Sequence, residues 1–63
     1  MKTHLEAIKK KHEGLRDIAR ADLETYLTNR VGIGEHPNFG EEIEKKVEEI
    51  SKHQSVIDTI DQL

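Results

Sequence analysis

The chain has 63 residues, of which 37% are charged and only 3% are aromatic. A chain of this length forms one small domain at most, because it can bury only a small fraction of its surface. It has no Cys, which excludes disulfides, thiolate metal sites and Cys nucleophiles and is typical of cytoplasmic proteins. The sequence has neither an apolar run long enough to cross a bilayer nor a signal peptide, so we expect a cytoplasmic protein that does not associate with membranes.

The first half of the chain has the apolar periodicity of one long helix. Placed at 100° per residue, one stripe comprises Leu5, Ile8, His12, Leu15, Ala19, Leu23, Tyr26, Leu27 and Arg30. Ile18 lies on the flank of this stripe. The spacing predicts a helix over about residues 3–30. Gly14 interrupts the pattern at a cost of about 1 kcal/mol relative to Ala, and we expect one continuous helix that tolerates it.

Residues 30–42, RVGIGEHPNFGEE, contain three of the four glycines and the only proline. Gly32 and Gly34 can take the positive φ angles that end a helix and reverse the chain. Pro37 presets φ for the first turn of a following helix. We therefore predict a turn over about residues 31–37 that joins two antiparallel helices and is not a ligand site.

The second half of the chain carries another helical stripe, whose apolar face widens near the C-terminus. The stripe and its widening comprise Phe39, Ile43, Val47, Ile50, Gln54, Val56, Ile57, Ile60 and Leu63. It predicts a second helix over about residues 38–62. The predicted fold is all-α: one antiparallel two-helix hairpin that occupies residues 1–63 as a single domain.

Charge placement supports the hairpin. Residues 1–30 carry a net charge of +2 and residues 31–63 a net charge of −5. With the turn near residues 34–35, facing residues have numbers that sum to roughly 69. This register predicts that Lys9, Lys10 and Lys11 lie near Asp58 and Asp61. It also predicts that Arg16 and Arg20 lie near Glu48 and Glu49.

The same register brings His12 close to His53 and Gln54 in the middle of the hairpin. Three interpretations are open. The residues can form a buried polar layer that fixes register and oligomeric state. They can form a pH-sensitive element, since His titrates near neutrality. They can also lie at a partly solvated edge with no special role.

A lone two-helix hairpin leaves every core residue with an open side, and both apolar faces are wider than one partner helix can cover. We therefore predict a homodimer that forms a four-helix bundle, with a tetramer as the alternative assembly. The residues predicted at the oligomer interface are Leu5, Ile8, Leu15, Ile18, Ile50, Val56, Ile57 and Ile60.

No motif for catalysis, for a cofactor or for a metal is present. The four His residues show no H-x-x-x-H spacing on a helix, as a metal site built on one helical face requires. The Gly-x-Gly in VGIGEH lacks the third Gly and the Lys-Ser/Thr ending of a phosphate loop. We therefore predict a protein that is not an enzyme and that needs no cofactor or metal.

Nucleic-acid binding is the alternative function. Basic residues follow one side of helix 1: Lys9, Lys10, Lys11, Arg16 and Arg20. However, the net charge is −3 and the pI is about 5.7, opposite to the usual footprint of such proteins. The sequence also lacks aromatic residues placed for base stacking.

The turn carries a family resemblance. The segment VGIGEHPNF, preceded by LETYLTN and followed by an acidic amphipathic helix, resembles small proteins of T4-like marine phages, including cyanophages. The likeness covers residues 17–63, and Asn38-Phe39-Gly40 replaces the acidic and aliphatic residues expected there. The resemblance implies a viral or marine-metagenome origin, a host-cell cytoplasmic setting and no particular activity. We therefore expect a small structural or interaction protein that associates with itself and binds another phage or host protein.

Overall fold

The computed structural model describes residues 2–29 and 39–63. They form two α-helices, α1 (Lys2–Thr28) and α2 (Phe39–Gln62), and no strand occurs in these two ranges. The predicted all-α helical hairpin is therefore confirmed. At 1.5 Å per residue, α1 is about 40 Å long. The molecule measures 49 × 15 × 11 Å, a cross-section that accommodates only two helices side by side.

The end of α1 differs slightly from the prediction. The helix ends at Thr28, two residues before the predicted end. The Thr28 hydroxyl donates to the carbonyl of Glu24 at 2.9 Å, and the backbone N–H of Asn29 donates to the carbonyl of Thr25 at 2.9 Å. The first is the bond that a helical Thr hydroxyl commonly makes to the carbonyl four residues earlier, and the second continues the helical hydrogen-bond ladder by one residue beyond Thr28. The predicted turn over residues 31–37 and the predicted start of α2 at residue 38 lie outside the described residues.

Gly14 lies inside α1, so the predicted single continuous helix is confirmed. A Cβ atom built at this position meets nothing within 4 Å. The glycine therefore serves no close approach of another element, and it lowers helix stability because its backbone is freer in the unfolded chain.

Very little of the hairpin is fully buried. Among the described residues only Ala19 and Ile57 are buried, with exposed fractions of 2% and 4%. The other residues of the two apolar stripes are half-buried or exposed, because each has a neighbouring helix on one side only.

An aromatic contact joins the end of α1 to the start of α2. The rings of Tyr26 and Phe39 meet edge to face, with centroids 5.6 Å apart and an interplanar angle of 75°. Burial raises the pKa of Tyr26, with a smaller contribution from the charge of Glu42. Aromatic pairs in this geometry contribute about 0.5–1.5 kcal/mol beyond the area they bury. The contact therefore holds the loop end of the hairpin together.

Two ion pairs between the helices show their register. Nζ of Lys9 lies 2.6 Å from Oδ1 of Asp61, and Nζ of Lys46 lies 3.9 Å from Oδ2 of Asp22. The hydrogen bond with Asp61 and the charge of Asp61 raise the pKa of Lys9. The predicted contact between Lys9 and Asp61 is confirmed. The antiparallel register predicted from the turn position is therefore that of the structure.

Candidate interaction surface

A layer of polar side chains crosses the middle of the hairpin. Nδ1 of His12 lies 2.8 Å from Nδ1 of His53, and both side chains are half-buried between the helices. The predicted proximity of these two residues is therefore confirmed. The layer is partly solvated, which agrees with the third of the three interpretations of the sequence and leaves a role in register or in pH response open.

The two imidazole rings meet head-on. Their centroids are 5.0 Å apart, and this distance exceeds the 2.8 Å between the Nδ1 atoms by close to the sum of two ring radii. Both nitrogens therefore lie near the line that joins the ring centres. One neutral imidazole can donate its Nδ1–H to the other along this line. A metal ion bound by both nitrogens would lie about 2.0–2.1 Å from each of them. Two nitrogens that face each other only 2.8 Å apart leave no room for the ion between them. This geometry therefore favours a shared proton over a metal.

The surroundings of the pair oppose a positive charge. The pKa of His12 is lowered, first because burial disfavours the charged form and then because His53, Lys11 and Lys52 repel a further positive charge. A second proton on the pair would also remove the only acceptor in the hydrogen bond between the rings. The surroundings of His12 therefore favour its neutral form.

A hydrogen-bonded chain continues the polar layer towards the open end of the hairpin. Nη1 of Arg16 donates to Oε1 of Gln54 at 3.0 Å, and Nε2 of Gln54 donates to Oδ1 of Asp58 at 2.9 Å. Nε of Arg16 also lies 3.1 Å from Oδ1 of Asp17. The prediction that Arg16 lies near Glu48 and Glu49 is wrong in detail, because its guanidinium turns towards the amide of Gln54.

Next to the polar layer the hairpin presents an apolar surface. A groove of about 240 Å³ between the helices is lined by Leu5, Ile8, Ser55, Val56, Thr59 and Ile60. Along α1 the surface continues to Leu15 and Ile18, which are 38% and 60% exposed. We call the apolar residues Leu5, Ile8, Leu15, Ile18, Val56 and Ile60 the apolar face. It extends from near the chain termini to just past the middle of α1.

The predicted interface residues differ in how much surface they expose. All six residues of the apolar face belong to the predicted set, and Ile50, which is half-buried, is the seventh. Ile57, the eighth, is only 4% exposed, so it packs against α1 within one hairpin and offers little surface to a second copy. The sequence pattern did not separate these roles because both kinds of residue have the same helical spacing.

The five basic residues predicted as a nucleic-acid surface do not form one free patch. Lys9 is paired with Asp61 and Arg16 is hydrogen-bonded to Gln54. Lys10, Lys11 and Arg20 are exposed, and none of them has an ion pair with another described residue. Two of the five charges are therefore used within the hairpin.

Three contacts between the helices were not predicted from the sequence. They are the hydrogen bond between Arg16 and Gln54, the ring contact between Tyr26 and Phe39, and the ion pair between Lys46 and Asp22. Each pair lies at facing levels of the predicted register, which is the signal that could have indicated these contacts. Long side chains such as that of Arg16 have many rotamers, which the spacing of a stripe does not constrain.

Within residues 2–29 and 39–63 no three His, Asp or Glu side chains come together as potential ligands of a metal ion. No helix in the described part of the chain is both long and apolar enough to cross a membrane. Comparison of the chain with protein-family models, with curated proteins and with solved structures finds no match.

Proposed function

We propose that this chain is a small, non-catalytic interaction module that associates with a second copy of itself through its helices, in the cytoplasm of the cell in which it is made. The observation that carries the proposal is the apolar face. Ile8, Leu15 and Ile18 are 42%, 38% and 60% exposed along one side of α1, next to the groove at the open end. Contiguous exposed apolar surface on a small protein marks an interaction site.

The solvent-accessible surface of the hairpin is large for its mass, which supports the presence of a partner. The accessible surface is 4996 Å² for a chain of 7.3 kDa. A compact monomer of this mass exposes only about 4,200 Å². The elongated hairpin therefore exposes roughly 800 Å² more than a compact chain of its mass. A second copy packed on the apolar face would cover part of this surface and produce the predicted four-helix bundle.

Sedimentation equilibrium over a wide range of protein concentrations tests the proposal directly. We expect a dimer that dissociates on dilution, together with a melting temperature that rises with protein concentration. A folded monomer with a melting temperature independent of concentration would refute the proposal.

The variant Ile18→Ala sharpens the test because its expected sign depends on the assembly. In an isolated hairpin the side chain is mostly exposed, and Ala, a better helix former by about 0.4 kcal/mol, would stabilise α1 slightly. In the dimer the same side chain is buried, and its loss should cost about 2 kcal/mol or more. Val47→Ala is the matched control, because Val47 is 50% exposed on α2 outside the apolar face and should change stability little.

A further inference from the structure

The spacing of the apolar-face residues on α1 indicates how two copies pack against each other. Leu5, Ile8, Leu15 and Ile18 are separated by three, seven and three residues. This order is the same read from either end of the helix. We infer that the hairpins pair antiparallel, with their loops at opposite ends, about a twofold axis that passes between the two α1 helices at the level of residues 11 and 12. The inference rests on the proposed self-association and adds its geometry.

A twofold interface must be self-complementary, so that if one residue contacts a second, the second contacts the first in the other copy. Rotation about the proposed axis exchanges Leu5 with Ile18 and Ile8 with Leu15. Each apolar residue of one α1 then meets an apolar residue of the other α1. The three most exposed of them, Ile8, Leu15 and Ile18, lie within about 80° of one another around the helix.

The charged residues show where the interface ends. Asp22 follows Ile18 by one helical turn, and its carboxylate lies 3.9 Å from Nζ of Lys46. The same ammonium lies 3.8 Å from Oε1 of Glu49. The side of the hairpin that is apolar near the termini is therefore ionic towards the loop. An axis between residues 11 and 12 superposes the two apolar segments and leaves these ion pairs at the edge, in water.

The opposite arrangement, with both loops at the same end, matches these surfaces poorly. It would pack α1 of one copy across α2 of the other at the same level. Arg16 contacts Gln54 and Asp22 contacts Lys46, so the part of α2 level with Ile18 is the charged stretch around Glu49. Ile18 would then cover charged groups, and removing these from water without new partners is costly.

The absence of Cys allows a test with one nitroxide label per chain. Glu24→Cys and Lys10→Cys each place the label on an exposed position of α1 outside the apolar face. In the antiparallel dimer the two Glu24 positions are 25 residues apart along the helix direction, or roughly 40 Å at 1.5 Å per residue. With both loops at the same end they are separated only laterally, by about two helix diameters or roughly 20 Å. The Lys10 positions, close to the axis, give about 20 Å in either case.

Pulsed electron paramagnetic resonance on the two labelled dimers should give a distance between the two nitroxides near 20 Å for Lys10→Cys and near 40 Å for Glu24→Cys. A short distance at both positions would overturn the antiparallel arrangement and leave self-association intact. If sedimentation and both labels show only monomers at high concentration, the proposed self-association is wrong, and the apolar face is a binding surface for a different protein. Far-UV circular dichroism confirms that each labelled variant retains its helices.

Discussion

Truncation of Ile57 measures how much of the stability depends on the narrow contact between the two helices. Ile57 is 4% exposed and is the only large apolar side chain that is buried among the described residues. Ile57→Ala removes buried carbon and leaves a cavity, which typically costs about 2–5 kcal/mol. The higher helix propensity of Ala returns about 0.4 kcal/mol. We expect a net loss of about 3 kcal/mol, against a total stability of about 3–9 kcal/mol for a chain of this length.

Urea denaturation followed by circular dichroism, at one fixed protein concentration, gives the free energy of unfolding for both proteins. Ile57→Val is the graded variant and should cost about 0.5–1.5 kcal/mol. Val47→Ala, at a position that is 50% exposed, is the control for side-chain truncation on the surface of α2. If Ile57→Ala were as mild as Val47→Ala, the close packing of α2 on α1 at this level would be wrong.

Acidification should destabilise the hairpin. Because the pKa of His12 is lowered in the folded state, the folded chain binds a proton at His12 less readily than the unfolded chain does. The stabilisation is therefore complete above pH 6.5 and is lost as the pH falls below that value. His12→Gln should flatten the decline in melting temperature between pH 7 and pH 5, whereas His4→Gln, at an exposed position of α1, should leave it unchanged. Gly14→Ala should raise the free energy of unfolding by about 1 kcal/mol in urea titrations, because a Cβ fits there without contact; a loss of stability would show that the position is not open. Asp61→Asn, which breaks the exposed ion pair with Lys9, should cost less than about 1 kcal/mol, and this small effect should shrink further in high salt.

The sequence was sufficient to predict the helices, which follow from a repeated apolar pattern, and their register, which follows from the position of the turn. Periodicity places many residues at once, so single exceptions such as Gly14 do not change the outcome. The contact between Lys9 and Asp61 followed from the turn position and from the opposite charges of the two halves. The proximity of His12 and His53 followed from the same register.

Roles that depend on depth within the structure were harder to predict. Ile57 and Ile60 lie on the same side of α2 by spacing, yet Ile57 is buried within the hairpin while Ile60 lines an open groove. Three residues turn an α-helix by about 300°, so Ile60 lies about 60° from Ile57 around α2, and the predicted stripe was wide enough to include both positions. Arg16 shows a similar limit, because its hydrogen bond to Gln54 in preference to nearby carboxylates on α2 depends on the rotamers of two long side chains.

The contact between Tyr26 and Phe39 gives the molecule an optical reporter at one end only. Tyr26 is the only tyrosine and the chain has no tryptophan, so intrinsic emission arises from the loop end alone. Ile8, at the opposite end, is about 27 Å away along α1. Tyrosine emission therefore follows separation of the helices beside the loop, whereas a label near the termini follows separation of the helices at the open end. Recording both signals in one rapid-mixing experiment would show which end of the hairpin opens first and would give each opening its own rate.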